Sequence, residues 1–337
     1  MHISSRSAGI ALGVLVDAVV GDPRRGHPVA LFGRAAAALE RRLYGDARPN
    51  GVAHVAICVG AAAGLGALAS LAPARVPGGS PTRLGGSKAG PGVVRAVVEI
   101  GLTAAATWAV LGGTTLAREG VHMAEALEAK DIEAARKRLP HLCGRDPRTL
   151  EAPELARATV ESLAENTSDA VVAPLFWGAI AGVPGLLAYR AVNTLDAMVG
   201  HRSPRYERFG WAAARLDDVA NYVPARITGL LAVLAAPDRR RALRVLRRDG
   251  HRHPSPNAGR CEAAFAGALD VTLGGVNVYG SRVEHRPEMG EGPRPEVRDI
   301  RRAVRLTRTV SLAAAAIAVL APALWPRRAR RSPAPGA

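Results

Sequence analysis

Three strings decide how this chain folds: E-S-L-A-E-N-T-S-D (Glu161–Asp169), Y-R-A-V-N-T-L-D-A-M-V-G-H-R (Tyr189–Arg202) and R-Y-E-R-F-G-W-A-A-A-R-L-D-D-V-A-N-Y-V-P-A-R (Arg205–Arg226). Each sets carboxylates and amides beside near-continuous apolar sequence, including the run that opens A-P-L-F-W at Ala173. Ionisable groups are expensive next to segments apolar enough for a bilayer, so where they persist they mark polar or ionic chemistry. The reading is a membrane-embedded enzyme rather than a passive anchor. Between the first two strings, Gly182-Val183-Pro184-Gly185 is a strong turn signal. Residues 170–181 as a helix reach only ~18 Å, too short to cross ~30 Å of hydrocarbon. The pattern therefore predicts a helical hairpin, with Glu165 and Asp196 returned to one side of the membrane.

Composition agrees. Of 337 residues, 48% are hydrophobic but only 4% aromatic. Ala and Gly dominate, which suits closely approaching membrane helices and is a poor recipe for sheets. The expected fold is all-α, a multi-pass membrane helical bundle with extramembrane helical and loop segments. The formal net charge of +16 is carried almost wholly by Arg. With no nucleic-acid-binding motif readable, that charge is assigned to an anionic membrane leaflet or a polyanionic substrate, not to nucleic acid. Cys58, Cys143 and Cys261 stand far apart and provide neither a disulfide framework nor a thiolate metal site. His251-x-His253 is read as a solvated polar loop, with metal binding the rarer alternative. The early apolar run is interrupted by Asp17 and is expected to be retained rather than cleaved as a signal peptide.

Val52–Leu71 and Val93–Leu116 are candidate spans, with Val310–Trp325 a shorter third. The whole of 1–337 is read as one membrane domain carrying a poorly ordered loop at 73–91, an Arg-rich extramembrane segment at 237–309 and a basic tail at 326–337. Such a tail beside a span marks the cytoplasmic side, where the acidic motifs are expected too. Gly120–Leu139 reads as one amphipathic helix, acidic early and basic late. Val219–Ala236 is apolar but interrupted by Pro224 and Arg226.

Glu161, Glu165 and Asp169 are spaced i, i+4, i+8, a carboxylate ladder that repels itself unless Mg²⁺ or a cationic substrate group sits there. The plainer alternative is that Ser168 or Asp169 caps a helix beginning at Ala170. Asn193 and Asp196 share a helix face, as do Asp217 with Asn221 and Arg215 with Asp218. Carboxylate, amide and guanidinium together are what magnesium-dependent chemistry on a phosphorylated substrate requires; a structural salt-bridge network stays open as the other reading. Asp22 and His27, in G-D-P and H-P-V, belong either to a site at the membrane edge or to an ordinary turn. Asn257 and Glu262 flank glycines suited to close approach of a ligand.

Taken in order, G-D-P…H-P-V, E-N-T-S-D…A-P-L-F-W, Y-R-A-V-N-T-L-D-A-M-V-G, F-G-W-A-A-A-R-L-D-D-V-A-N and S-P-N-A-G…E-A-A-F-A-G-A-L resemble the CobD/CbiB family of cobalamin biosynthesis, from about Gly9 to Leu320. Val276 in L-G-G-V-N departs from the proline expected there. The resemblance implies a multi-pass membrane adenosylcobinamide-phosphate synthase, an acid–amine ligase. Such an enzyme joins aminopropanol, or its O-phosphate, to the f side-chain carboxylate of adenosylcobyric acid. The partners implied are the corrinoid, the amino alcohol and membrane lipid. Amide formation in water is uphill, which implies activation by ATP with Mg²⁺, although no P-loop is readable. On this reading Glu165, Asp169, Asp217 and Asp218 bind metal or amine, with Asp217 and Asp218 the metal candidates, and Arg215 holds phosphate or carboxylate. Asp22, His27, Asn166, Asn193, Asp196, Asn221, Asn257 and Glu262 position the substrate. Rival expectations are an intramembrane prenyltransferase-like enzyme, since Asp-Asp on a membrane helix suggests a Mg²⁺–diphosphate site, and a non-catalytic transport or scaffold subunit.

Overall fold

A computed structural model describes residues 4–23, 26–75, 82–84, 87–89, 91–201, 203–279 and 282–324. The expected basic tail at 326–337 lies outside the described residues, as does part of the 73–91 loop. The rest is a helical bundle. Its helices are α1 (Ser5–Val20), α2 (Pro28–Leu43), α3 (Arg48–Leu71), α4 (Pro91–Val110), α5 (Gly113–Glu128), α6 (Ile132–Arg138), α7 (Ala152–Thr167) and α8 (Ala173–Leu195). There follow α9 (Trp211–Ala220), α10 (Tyr222–Ala235), α11 (Arg239–Asp249), α12 (Ala258–Leu269) and α13 (Val297–Leu324). Two antiparallel hairpins complete it, β1 (Thr82–Leu84) with β2 (Ser87–Ala89), and β3 (Leu273–Tyr279) with β4 (Arg282–Met289). The first pair falls inside the segment expected to lack order, where Gly85-Gly86 in the sequence is a two-residue hairpin signal.

Among the described residues, four helical stretches are long and apolar enough to cross a membrane, at 48–75, 92–128, 152–200 and 297–320. Their outward faces are greasy: Ile57, Leu65 and Leu68 on α3, Val93 and Val97 on α4, and Leu312 and Ile317 on α13 are exposed. Contiguous apolar surface of this extent marks faces suited to a membrane or a partner. Small residues bring the helices together. A Cβ on Gly9 or Gly13 of α1 would come within 2.5 Å of Thr103 or Thr107 of α4, so the i, i+4 glycine pair is what permits the approach.

The third stretch does not cross as one rod. Within α8, Gly182 has φ +64° and ψ −146°, a conformation essentially reserved for glycine, and the chain folds back there. The return is measurable. Tyr189 Oη donates to the Asp169 carbonyl at 3.2 Å and Asn193 Nδ2 lies 3.5 Å from Asp169 Oδ2. In a straight helix residues that far apart in sequence would stand ~30 Å apart. The turn rests on Gly66 of α3, and Arg6 reaches the Ala179 and Ile180 carbonyls left over by the break. This is the hairpin the sequence predicts.

Two other expectations change. The helix expected over Gly120–Leu139 is broken: Lys130 takes φ +58° and Asp131 caps α6 by accepting from Ala134 N at 2.9 Å. Val219–Ala236 is interrupted at Asn221, between α9 and α10, rather than at Pro224 or Arg226: α10 starts at Tyr222 and leaves the proline in its first turn, where its missing N–H is not needed. The Arg-rich segment at 237–309 contains α11, α12 and the β3–β4 hairpin; Cys261, Glu262, Phe265 and Leu269 of α12 are all buried, and α12 packs against α7, α10, α11 and α13.

Candidate active site

The polar centre is built from two interruptions of helical geometry. After α7 the chain passes through a π-helical turn at Ser168–Val172 instead of ending, and after α8 through another at Asp196–Gly200. Each wide turn carries an acid, Asp169 or Asp196. Because α7 runs on through this turn, the capping explanation of Asp169 fails. Such turns are energetically poor and concentrate at functional sites.

Glu165, Asp169, Asp217, Asn221 and Asn257 line one small cavity, together with Ser168, Ser255 and Cys261. It measures about 20 Å³, room for one water-sized group. The hairpin delivers Asn193 to Asp169, and α9 delivers Asp217, whose Oδ2 accepts from Asn221 Nδ2 at 3.0 Å. Tyr189 Oη donates to Asn221 Oδ1 at 2.9 Å, locking that amide. From the far side Asn257 Nδ2 donates to the Asp218 carbonyl at 2.8 Å. None of the described residues lining the cavity is basic. Burial pushes the Asp217 carboxyl up to about 7; Asp196 adds to the rise, and hydrogen bonds from Asn221 and Asn193 oppose it. Burial also raises Asp218, against the Arg215 guanidinium 3.3 Å away.

Glu161 belongs to a different environment. It is buried, paired with Arg145 and, at 3.4 Å, with Arg157, and accepts from Gly274 N at 2.7 Å. Arg157 in turn donates to the Gly274 and Val276 carbonyls and to Asn277 Oδ1, tying α7 to β3. The contact uses the backbone of Val276, so the side chain there is not what the arginine reads. The ladder expected along one face is therefore split by its partners.

Other expected residues are placed as follows. Glu262 is buried with Oε1 3.8 Å from His253 Nε2 and 3.9 Å from Arg286, and burial, with Glu161 and Glu165 adding, lifts its carboxyl well above the usual range. His253 is buried rather than solvated, as was expected of its loop. Burial, then Arg286, lowers it to about 4, so it is neutral and accepts from Arg286 at 2.8 Å. Asp22 and His27 sit 3.5 Å apart, and His27 Nδ1 also accepts from Val29 N, capping α2. Asn166 is turned away from the cavity onto Ser162 of its own helix. Among the described residues no group of three or more His, Cys, Asp or Glu side chains is placed to hold a metal ion alone. Asp217 and Asp218 are adjacent in sequence but separately engaged, with Asn221 and with Arg215.

Sequence reasoning missed Arg190, Tyr189 and Ser168. Arg190 donates to Asn193 at 3.3 Å and lies within electrostatic reach of both Asp22 and Asp169, so it links the G-D-P motif to the acid centre. An arginine inside an apolar run is itself a signal that could have found it.

A family model described as CobD/Cbib protein matches residues 10–307. Similar proteins named "Cobalamin biosynthesis protein CobD" occur in Mycobacterium tuberculosis (strain ATCC 25618 / H37Rv), 54% identical over 94% of this chain and 96% of the relative, and in Geobacter metallireducens, 41% identical over 87% and 89%. One from Rhodobacter capsulatus is 50% identical over 60% of this chain and 65% of the relative. No solved structure matches.

Proposed function

The chain belongs to the CobD/CbiB family of cobalamin biosynthesis proteins, and from that premise we propose that it is an acid–amine ligase acting on a corrinoid. It joins aminopropanol, or its O-phosphate, to the f side-chain carboxylate of adenosylcobyric acid, giving adenosylcobinamide or its phosphate. One observation carries this reading: Glu165, Asp169 and Asp217, from three separate elements, converge on a cavity of about 20 Å³ with no basic side chain in its described lining. A transport or scaffold subunit has no use for buried acids held that way, since each costs desolvation. The prenyltransferase reading loses its ground with the family assignment.

The roles follow from placement. Glu165, Asp169 and Asp217 face the small cavity and receive a cationic group. Arg215 and Asp218, on the more open side of α9, offer a guanidinium and one carboxylate. Mg²⁺ is commonly held by one or two carboxylates plus phosphate oxygens, so Asp218 beside Arg215 fits a metal that arrives on a phosphate, while no resident metal cage is formed among the described residues. ATP with Mg²⁺ would supply the phosphoryl group that activates the corrinoid carboxylate. Asn193, Asn221 and Asn257 hold the acids in register. We place the spans in the cell membrane and the acid centre on its cytoplasmic side, a reading supported by the run of arginines on α11.

The test is mass spectrometry of the purified full chain in detergent with adenosylcobyric acid, aminopropanol or its phosphate, Mg²⁺ and ATP. The expected product is the corrinoid amide, lost in Glu165→Gln and in Asp217→Asn. Full product yield from both variants would return these acids to a structural role.

A further inference from the structure

We propose that the cavity between α7, α9 and α12 is the pocket for the primary ammonium group of the amine substrate, held by Glu165, Asp169 and Asp217, with Asp217 taking the proton that the amine must lose. The inference rests on the amide-forming reading and deepens it, because metal and ammonium are rival tenants for such acids.

The hydrogen-bond inventory separates them. The amide N–H groups at the cavity are already committed, Asn221 to Asp217 and Asn257 to the Asp218 carbonyl. What remains is rich in acceptors. Two of these are orphaned: Ser168 Oγ, on a residue only 2% exposed, and Asp217 Oδ1 find no hydrogen-bond partner among the described residues, and both residues line the cavity. Buried polar atoms are rarely left unmade, so the vacant positions call for a guest that donates. An alkylammonium brings three N–H donors and no acceptor.

Size points the same way. About 20 Å³ admits a group the size of one water molecule, which a terminal ammonium is. Mg²⁺ sheds water reluctantly and demands near-octahedral ligands, whereas no cluster of three ligating side chains is formed among the described residues. The charges around the cavity are mixed, but its lining is not. Asp217 is faced by Asp169 and Asp196 from the two π turns and by Asp218 on its own helix; Arg190 of α8 reaches Asp169, and Arg286 and Arg145 reach Glu165 from outside the lining. None of these arginines lines the cavity itself, so an ammonium would be the cation in direct contact with its acids.

The proton step is simple. The bound R–NH₃⁺ gives one proton to the Asp217 carboxylate, leaving R–NH₂ with a free lone pair and a neutral Asp217 carboxyl. The amine then attacks the phosphate-activated corrinoid carbonyl: the C–N bond forms, the bond between the carbonyl carbon and the phosphate oxygen breaks, and inorganic phosphate leaves with the second amine proton. Asp217 Oδ1, without a hydrogen-bond partner among the described residues and on a residue that lines the cavity, is placed to take the first proton.

The experiment titrates 1-aminopropan-2-ol into the full-length protein in detergent, with no corrinoid or nucleotide present. Propane-1,2-diol serves as the uncharged control and MgCl₂ alone as the rival. The amine should bind and the diol should not. Affinity should fall about 10- to 100-fold in Glu165→Gln and Asp217→Asn, the range expected for a lost charge-assisted contact, and only about threefold in Ser168→Ala, which keeps every charge. Unchanged gel-filtration and melting behaviour verifies that the variants fold. The proposal is overturned if Mg²⁺ alone binds and is lost in the same variants, or if diol and amine bind alike, which would make this a water-filled void. Under turnover, KM for the amine should rise about threefold in Ser168→Ala, the variant that keeps turning over, while KM for the corrinoid stays put. Amide formation with an unaltered amine KM sinks this inference and leaves the ligase reading standing. Amine binding as described, without amide product, does the reverse.

Discussion

Glu161 and Glu165 stand one helical turn apart on α7, and the structure treats them as opposites. Glu161 has two arginines and a backbone N–H on its carboxylate. Glu165 faces a cavity shared with two other acids and with no basic group in the described lining. A buried charge whose partners are complete is part of the scaffold, and its removal strands those partners. A buried charge whose partners are missing is waiting for something that comes and goes. Sequence spacing makes these two residues look equivalent; their surroundings do not.

The comparison can be broken most forcefully by exchanging the expected phenotypes. Glu161→Ala removes the shared acceptor of Arg145 and Arg157, and breaking a buried pair of this kind costs ~3–5 kcal/mol. It should appear as poor yield and a lower denaturation midpoint in detergent. Glu165→Gln removes a charge that other acids oppose, so its midpoint should shift by less than ~1 kcal/mol, while amide formation is abolished. A destabilised Glu165→Gln together with a stable Glu161→Ala would reverse the assignment of scaffold and site.

A finer probe is the pH dependence of stability. The folded Asp217 carboxyl binds its proton more tightly than the ordinary value of 3.8 allows, at about 7. Its contribution is therefore complete below about pH 4, declines as pH rises through the window between these values, and is flat above it. Asp217→Asn should flatten that decline when denaturant midpoints are compared with wild type across pH 4 to 8, with other titrating groups cancelling in the difference. A saturating alkylammonium should flatten it too, by supplying the missing counter-ion. Parallel curves for wild type and variant would mean that Asp217 is not held short of charge.

Much of this was legible beforehand. Gly182-Val183-Pro184-Gly185 announced the reversal because few backbones other than glycine's can take the turn observed. Asp217–Asn221 and Arg215–Asp218 were readable as helix neighbours, and both contacts form. What could not be read depends on packing between distant segments. No local signal shows that Ser168–Val172 winds as a π turn, or that Arg145 bonds directly to Glu161 while reaching Glu165 only at a distance. C-E-A-A-F-A-G-A-L carries no obvious polar face, and only the assembled bundle shows that α12 is central rather than peripheral.

The smallest expected effect tests the edge of the comparison, where charge is neither buried nor starved. Arg215 and Asp218 form an exposed i, i+3 pair at 3.3 Å, and such pairs contribute less than ~1 kcal/mol. Arg215→Ala should therefore leave the midpoint almost unmoved. If this open side of α9 receives phosphate, the same change should raise KM for aminopropanol phosphate by roughly tenfold, the cost of one charge-assisted contact. KM for free aminopropanol should hardly change, since the ammonium end is held elsewhere, in the cavity. Arg215→Lys should recover part of the loss, as a point charge replaces a planar fork. Added salt should shrink the wild-type advantage, because the group is exposed and screened. An equal rise for both donors would detach Arg215 from phosphate and leave it as a surface partner of Asp218. A rise for the phosphorylated donor alone would show that one helix, α9, sorts its two adjacent carboxylates by depth: Asp217 inward to the amine, Asp218 outward beside the guanidinium that reads the phosphate.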